Sequence, residues 1–273
     1  MDALSQNKYW QLGYQRRRSG AEIPDVNDFR NYAARRVVQT VESVGLNGKH
    51  VLEVGAGDSN LLLLLATRFP GTARFAGLDY SDAGCELLRD RSRRVGADIE
   101  VINADLFQPP KELIGRFEVV YSLGLAEHFS SLGDVLAALT CFLRPGGDLV
   151  TIIPNMTGVL GRLVKRWNKE VYDMHNPLGL SAFLAGHADA GLHVLRSGYL
   201  CSSNFSVLSS CFGDGRRQGE RAYRWLSRLS KALWWYESKA FELPKTAWLS
   251  PYIFAVSRLR TLETRQHPIT SRS

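Results

Sequence analysis

Short, mostly apolar runs alternate with leucine-rich or amphipathic stretches along the first two thirds of the chain. His50-Val-Leu-Glu-Val54 is one such run, closed by Gly55, and Leu61 to Phe69 continues as a helix, so the order is strand, glycine turn, helix. The alternation recurs. A strand around 73–78 ends at Asp79, with Ser81 placed to cap the next helix, and a strand around 98–102 ends just before Asp105. Phe117 to Tyr121 and Asp148 to Ile153 supply two more strands, separated by a helix over 133–142 that stops at Arg144-Pro145-Gly146-Gly147. Strands that alternate with helices predict a parallel sheet covered by helices on both faces, an α/β three-layer sandwich.

The flanks follow other patterns. Residues 27–44 place Phe29, Ala33, Val37 and Val41 at helical spacing. Leu180 to Ala190 has the pattern of a helix, and Leu192 to Leu200 and Tyr252 to Ser257 have that of strands. Between these two strands lies a long insertion, roughly 201–250, that carries most of the tryptophans. The expected organisation is an N-terminal lid and helix (1–45), a core (46–200 and 250–260) and a helical cap insertion before the last strand (201–249). Repeats and low-complexity tracts are absent from the sequence.

A length of 273 residues, 45% hydrophobic, supports one substantial core with insertions. Cys85, Cys141, Cys201 and Cys211 lack metal-ligand or disulfide spacing, so no metal is expected. The N-terminus shows no basic and then apolar leader, and no apolar run is long enough to span a bilayer, so the expected location is cytoplasmic. The formal charge is +7. Its excess gathers at Arg16-Arg17-Arg18, Arg35-Arg36, Arg89 to Arg94 and Arg216 to Arg228, patches suited to nucleic acid, an acidic small molecule or an anionic membrane.

Gly55-Ala56-Gly57 lets a ligand approach the backbone closely. A dinucleotide fingerprint wants a third glycine at position 60, where this chain has Asn60. S-adenosylmethionine (SAM) carries no pyrophosphate and relaxes that demand, while Glu53 is placed to organise the loop or reach the ligand's ammonium. Asp79 can accept hydrogen bonds from ribose hydroxyls, a need that NAD and SAM share. Asp105 can accept from the adenine amine, with Tyr80 and Leu106 flanking the ring. That third acid favours SAM, against the alternative of an NAD-binding oxidoreductase.

The ordered motifs Val51-Leu-Glu53-Val-Gly55-Ala-Gly57, Gly77-Leu-Asp79-Tyr80-Ser81, Asn103-Ala104-Asp105-Leu106, Val119-Val-Tyr-Ser122-Leu123-Gly-Leu-Ala-Glu127-His128-Phe129 and Leu143-Arg-Pro-Gly-Gly147 with Ile153-Pro-Asn155 resemble those of the class I SAM-dependent methyltransferases. The resemblance is schematic beyond the fifth strand, and Ser59 replaces the third glycine of many members. It implies a seven-stranded, mostly parallel sheet in the order 3-2-1-4-5-7-6 with strand 7 antiparallel. It further implies SAM at the carboxyl ends of strands one to four, with Ser122, Leu123 and Gly124 along its methionine part. A non-catalytic scaffold that keeps the fold is the other alternative, disfavoured by the presence of all three acids.

Methyl transfer is an in-line displacement, so an acceptor hydroxyl needs alignment and loss of its proton. In several small-molecule methyltransferases of this kind a histidine near the fourth motif is the base, which marks His128; His175 falls in the segment that usually contributes to the acceptor pocket. Tyr9, Trp10 and Tyr14 with Arg16 fit a lid in which aromatics cover the ligand and the arginine pairs with its carboxylate. Residues 220–236 set Tyr223, Leu226, Leu229, Leu233 and Tyr236 against Arg221, Arg224, Arg228 and Lys231, a basic amphipathic helix suited to capping the site, to a homodimer interface or to peripheral contact with an anionic membrane. The aromatic insertion favours a bulky small-molecule acceptor, a natural-product, glycan-linked or lipid-linked intermediate, methylated on oxygen; nitrogen or carbon methylation, and RNA as acceptor, are the alternatives. No DNA partner is expected, since the fourth motif lacks an Asn-Pro-Pro-Tyr sequence.

Overall fold

The computed structural model describes residues 13–14, 23–212 and 217–260. Strands β1 (His50–Val54), β2 (Arg74–Asp79), β3 (Ile99–Asn103), β4 (Phe117–Leu123), β5 (Leu143–Pro154), β6 (Leu192–Leu200) and β7 (Tyr252–Leu259) form one sheet in the order β3-β2-β1-β4-β5-β7-β6. Pairing is parallel from β3 across to β5, whereas β7 runs antiparallel to β5 and β6. This is the sheet that the sequence predicts.

Helices α1 (Tyr32–Glu42), α2 (Asn60–Arg68), α3 (Asp82–Val95), α4 (Leu132–Cys141), α5 (Val159–Trp167), α6 (Lys169–Asp173), α7 (Leu180–Asp189) and α8 (Glu220–Lys239) connect or cover the strands. Every residue of β1 is buried, because alternate side chains face different layers. Val51 joins Val37, Val41, Leu62 and Leu65 of α1 and α2 on one face. Leu52 and Val54 join Val135, Leu136 and Leu139 of α4 and Phe183 of α7 on the other. Burial of this kind contributes roughly 1.5–3 kcal/mol per large apolar side chain. Ser59, Ser81 and Ser131 cap α2, α3 and α4 by accepting from Leu62, Gly84 and Asp134 backbone N–H groups. Helix N-termini therefore gather at the carboxyl edge of the sheet, which is where ligands bind in open α/β folds.

Two boundaries and one helix face differ from expectation for local reasons. Asp28 accepts from Arg30 N–H, so the chain enters through a 3₁₀ turn over Phe29–Asn31 and α1 starts only at Tyr32. Leu143 already pairs with Phe117, and the Arg144–Gly147 turn is a bulge inside β5 instead of a break before it. On α8 the inward face runs through Ser230, Trp234 and Glu237, whereas Leu229 and Tyr236 lie outside with Trp225 and Trp235. The polar residues face inward because they have partners there: Ser230 Oγ accepts from Phe205 N–H at 2.8 Å, and Glu237 accepts from Ser202 Oγ at 2.7 Å. Trp234 Nε1 donates to the Ser203 carbonyl at 2.8 Å.

A third apolar cluster stands apart from the two sheet faces. It joins Met156, Leu160 and Val164 to Phe205, Leu208 and Cys211, with Tyr223 and Leu226 of α8 against it. Among the described residues no helix is long and apolar enough to cross a membrane. Within this cluster α5 lies against the turn that leads into it, and a Cβ on Gly161 would fall on the Met156 carbonyl. We predict that Gly161→Ala lowers stability by about 1–3 kcal/mol through this clash, overriding the roughly 1 kcal/mol by which alanine favours a helix. Urea denaturation of the two proteins checks the sign.

Candidate functional site

The turn after β1 is held from both sides. Gly55 and Ala56 donate their N–H groups to the Leu78 carbonyl at 2.8 and 3.0 Å, and Gly57 donates to Asp79 Oδ2 at 2.8 Å. Gly55 (φ +78°) and Gly57 (φ +41°) adopt the left-handed conformations that glycine tolerates. Beneath the turn Glu53, only 3% exposed, accepts at one oxygen from Ser59 Oγ (2.7 Å) and Tyr121 OH (2.8 Å). Burial pushes its carboxyl up to about 8, with Asp79 and Asp58 adding to the rise and the two hydrogen bonds opposing it. Glu53 thus organises the loop through direct contacts. Sequence reasoning gave Ser59 and Tyr121 no such part, because their meeting with Glu53 depends on sheet register.

Asp79 ends β2 with its Oδ1 accepting from Ser81 N–H at 2.8 Å. Each Asp79 oxygen holds one backbone N–H and has the lone pairs to accept a further hydrogen bond. Burial raises its pKa, and the two N–H bonds work against that rise. Tyr80 is 40% exposed beside it, and across the gap Leu106 is buried while Asp105 faces solvent, turned back to accept from Phe107 N–H at 2.9 Å. Ala104 N–H donates to the Asp79 carbonyl at 3.1 Å, which ties the β3 end to the β2 end. Two further side chains complete the frame. Arg91 of α3 holds the Asp58 carbonyl and Asn60 Oδ1, and Leu125 lies 3.1 Å from where a Gly55 Cβ would stand.

Tyr9, Trp10 and Arg16 lie outside the described residues. Tyr14 is described: its hydroxyl fills the space that a Gly57 side chain would take, and its ring stands 3.1 Å from a Cβ placed on Gly84. The Tyr14 hydroxyl thus occupies the cradle over Gly57, which shows that a polar group can come into contact with the glycine turn.

Ser122 is buried and Leu123 half-buried at the end of β4. The chain then turns through Gly124 into a 3₁₀ turn over Ala126–His128. His128 and His175 come together here, with ring centroids 4.7 Å apart. Their Nδ1 atoms donate to carbonyls, His128 to Met174 at 3.0 Å and His175 to Val171 at 2.7 Å. A carbonyl only accepts, so each neutral ring carries its lone pair on Nε2. Burial lowers both pKa values; that of His128, also facing His175, falls to about 4. Glu127 beside them is buried and raised to about 8 by that burial. The 3.7 Å approach of Glu127 Oε1 to His128 Nε2 is accordingly not an ion pair. His187, by contrast, is a core residue between Thr151 Oγ1 and the Phe183 carbonyl, and His193 lies in β6.

Glu53 supplies a test of this electrostatic picture. Its folded pKa lies above the free value, so the native state binds the extra proton and stability falls as pH rises between about 4.5 and 8. We predict that Glu53→Gln flattens this fall, leaving the part due to Glu127. Urea midpoints measured across that window check it, and parallel curves for the two proteins would show that Glu53 is ionised throughout.

Comparison with known proteins agrees with this geometry. The family model described as Methyltransferase domain matches residues 51–147, from β1 into the bulge of β5. A ubiquinone biosynthesis O-methyltransferase of Pseudomonas paraeruginosa is 29% identical over 161 residues, covering 56% of this chain and 68% of that enzyme. For enzymes of the same name from Pseudomonas aeruginosa the matched stretch is 45% of their length. Among solved structures, the geranyl diphosphate C-methyltransferase of Streptomyces coelicolor A3(2) superposes with a TM-score of 0.59 at 13% identity, covering 94% of this chain and 99% of that one. The cyclase SpnF also reaches 0.59, at 18% identity and with 84% and 82% covered. The domain matched over residues 51–147, the sheet order and the five ordered motifs together support the class I SAM-dependent methyltransferase superfamily.

Proposed function

We propose that the protein transfers the methyl group of SAM to a hydroxyl oxygen of a small-molecule acceptor. The observation that carries this reading is the pair His128 and His175, whose Nε2 lone pairs are fixed by carbonyls at Nδ1, just beyond the β4 end. Bound SAM supplies an electrophilic sulfonium methyl. Asp79, Tyr80 and the Asp105–Leu106 segment would hold its adenosine part, the glycine turn and Ser122–Leu123 its amino-acid part. Leu125, packed against Gly55, links that turn to the histidine pair. An oxygen acceptor needs such lone pairs to become nucleophilic, whereas an amine often needs only desolvation. Relatives named for O-methylation support the same choice.

On this reading the acceptor lies beside α6 and the apolar cluster of α5 and α8, whose aromatic residues Trp167, Tyr172 and Tyr223 suit a partly apolar molecule. Incubation with methyl-labelled SAM and a panel of hydroxylated aromatic and polyketide-like acceptors tests the reading. Label is expected on oxygen; label found only on nitrogen or carbon overturns it. For the acceptor so found, His128→Ala is predicted to lower turnover about 100-fold while SAM affinity by calorimetry stays within about twofold.

A further inference from the structure

Glu127, His128 and His175 each offer a ligand atom, and these atoms all lie within 4.8 Å of one another. Two imidazoles and one carboxylate form a donor set for a first-row divalent transition cation, unlike the all-oxygen shells of magnesium and calcium. The surroundings of all three residues fit that use. Backbone carbonyls of Met174 and Val171 hold the Nδ1 atoms of His128 and His175, which fixes the tautomer and aims Nε2. This is the outer contact that orients histidines bound to metals. Glu127 is 1% exposed, and among the described residues nothing hydrogen-bonds its Oε2. A buried carboxyl oxygen without a partner is costly, and a cation would relieve it. The backbone holds the three in place, since Asn176 N–H donates to the Glu127 carbonyl at 2.6 Å and His175 N–H to that of Tyr172 at 3.1 Å.

We propose that Glu127, His128 and His175 bind one divalent first-row transition cation, and that this cation holds the oxygen of the acceptor hydroxyl. The second half rests on the oxygen-methylation reading above, with the cation taking the two Nε2 lone pairs and promoting loss of the hydroxyl proton in their place. Atoms about 2.1 Å from a common ion in a tetrahedral array stand about 3.4 Å apart, so ligand atoms within 4.8 Å of one another draw together by up to about 1.4 Å when the site fills. Three protein ligands leave a position open for the acceptor. Held there, the hydroxyl releases its proton to solvent more readily. Its oxygen then bonds to the methyl carbon as the carbon–sulfur bond breaks, and the electron pair of that bond stays on sulfur. The sequence predicts no metal because these ligands come from two distant segments with no recurrent spacing.

Chelator-treated protein titrated with cobalt(II), followed by its visible absorption, and with zinc(II) by calorimetry, tests the site. One ion per chain is expected. Glu127→Gln and His175→Ala should each weaken binding at least about tenfold, while His175→Asp, which keeps a ligand oxygen, weakens it less. Unchanged SAM binding by each variant reports that it is folded. Stoichiometry far below one ion per chain, or affinity unmoved by all three variants, overturns the site. Hydroxyl methylation undiminished in chelator overturns the cation's hold on the acceptor. One bound ion with no hydroxyl methylated leaves the site standing and overturns the oxygen reading alone.

Discussion

The contact between Glu53 and Tyr121 is the constraint from which the carboxyl edge of the sheet is built. Parallel register sets these two residues side by side on β1 and β4, and the phenol donates to the buried carboxyl at 2.8 Å. The same oxygen takes Ser59 Oγ, and Ser59 also caps α2. One side chain therefore joins two central strands to the first turn of a helix. The glycine turn between them has few conformations left, and its N–H groups reach across to Leu78 and Asp79 at the end of β2. A ligand at this edge meets a surface already ordered, so little of its binding free energy goes into arranging the loop.

Buried carboxyl groups recur here, and they are treated differently on the two sides of the site. Glu53 accepts two hydroxyls at one oxygen, and Asp79 accepts a backbone N–H at each oxygen. Glu127 is as deeply buried yet has Oε2 without a hydrogen-bond donor among the described residues. The cofactor side thus spends its acids on holding the protein itself. The proposed acceptor side keeps one acid and two imidazoles whose Nδ1 atoms are held by backbone carbonyls. Perturbed titratable groups of this kind cluster at functional sites.

The part of this arrangement that could be read from the sequence is the part encoded locally. Gly55, Gly57, Asp79 and Asp105 each sit at the end of an apolar run, so strand periodicity and turn chemistry place them without any long-range information. The sheet order came with the family resemblance those motifs carry. Tyr121 as partner of Glu53 was hidden, since it depends on β1 and β4 being neighbours. Arg91 was hidden for a similar reason: in α3 it has the pattern of one more surface arginine of a basic run, yet it is buried against the Asp58 carbonyl and Asn60. On α8, hydrophobic periodicity misjudged the face because Ser230 and Glu237 find hydrogen-bond partners in the 202–205 coil. Periodicity registers apolar burial and has no means of registering satisfied polar burial.

The acceptor side was the least legible because it is assembled where two excursions from the sheet meet. One leaves β5 at Asn155 and the other returns to β7 at Pro251, and they are laced together at their roots. Asn155 Nδ2 donates to the Ala247 and Ser250 carbonyls at 2.7 and 3.0 Å, and Asn155 N–H to that of Pro251 at 2.8 Å. Val159 N–H adds a bond to the Trp248 carbonyl at 2.8 Å, and any side chain on Gly158 would collide with the Ala247 and Trp248 carbonyls. These bonds fix where α5 and α6 start, and hence where the chain brings His175 back against His128. Under the proposed function, cofactor recognition would belong to the strand ends, whose geometry the sheet dictates. Acceptor recognition would depend on a root of buried amide bonds outside the sheet, so the acceptor could change with the length and composition of the excursions while the cofactor site stays as it is.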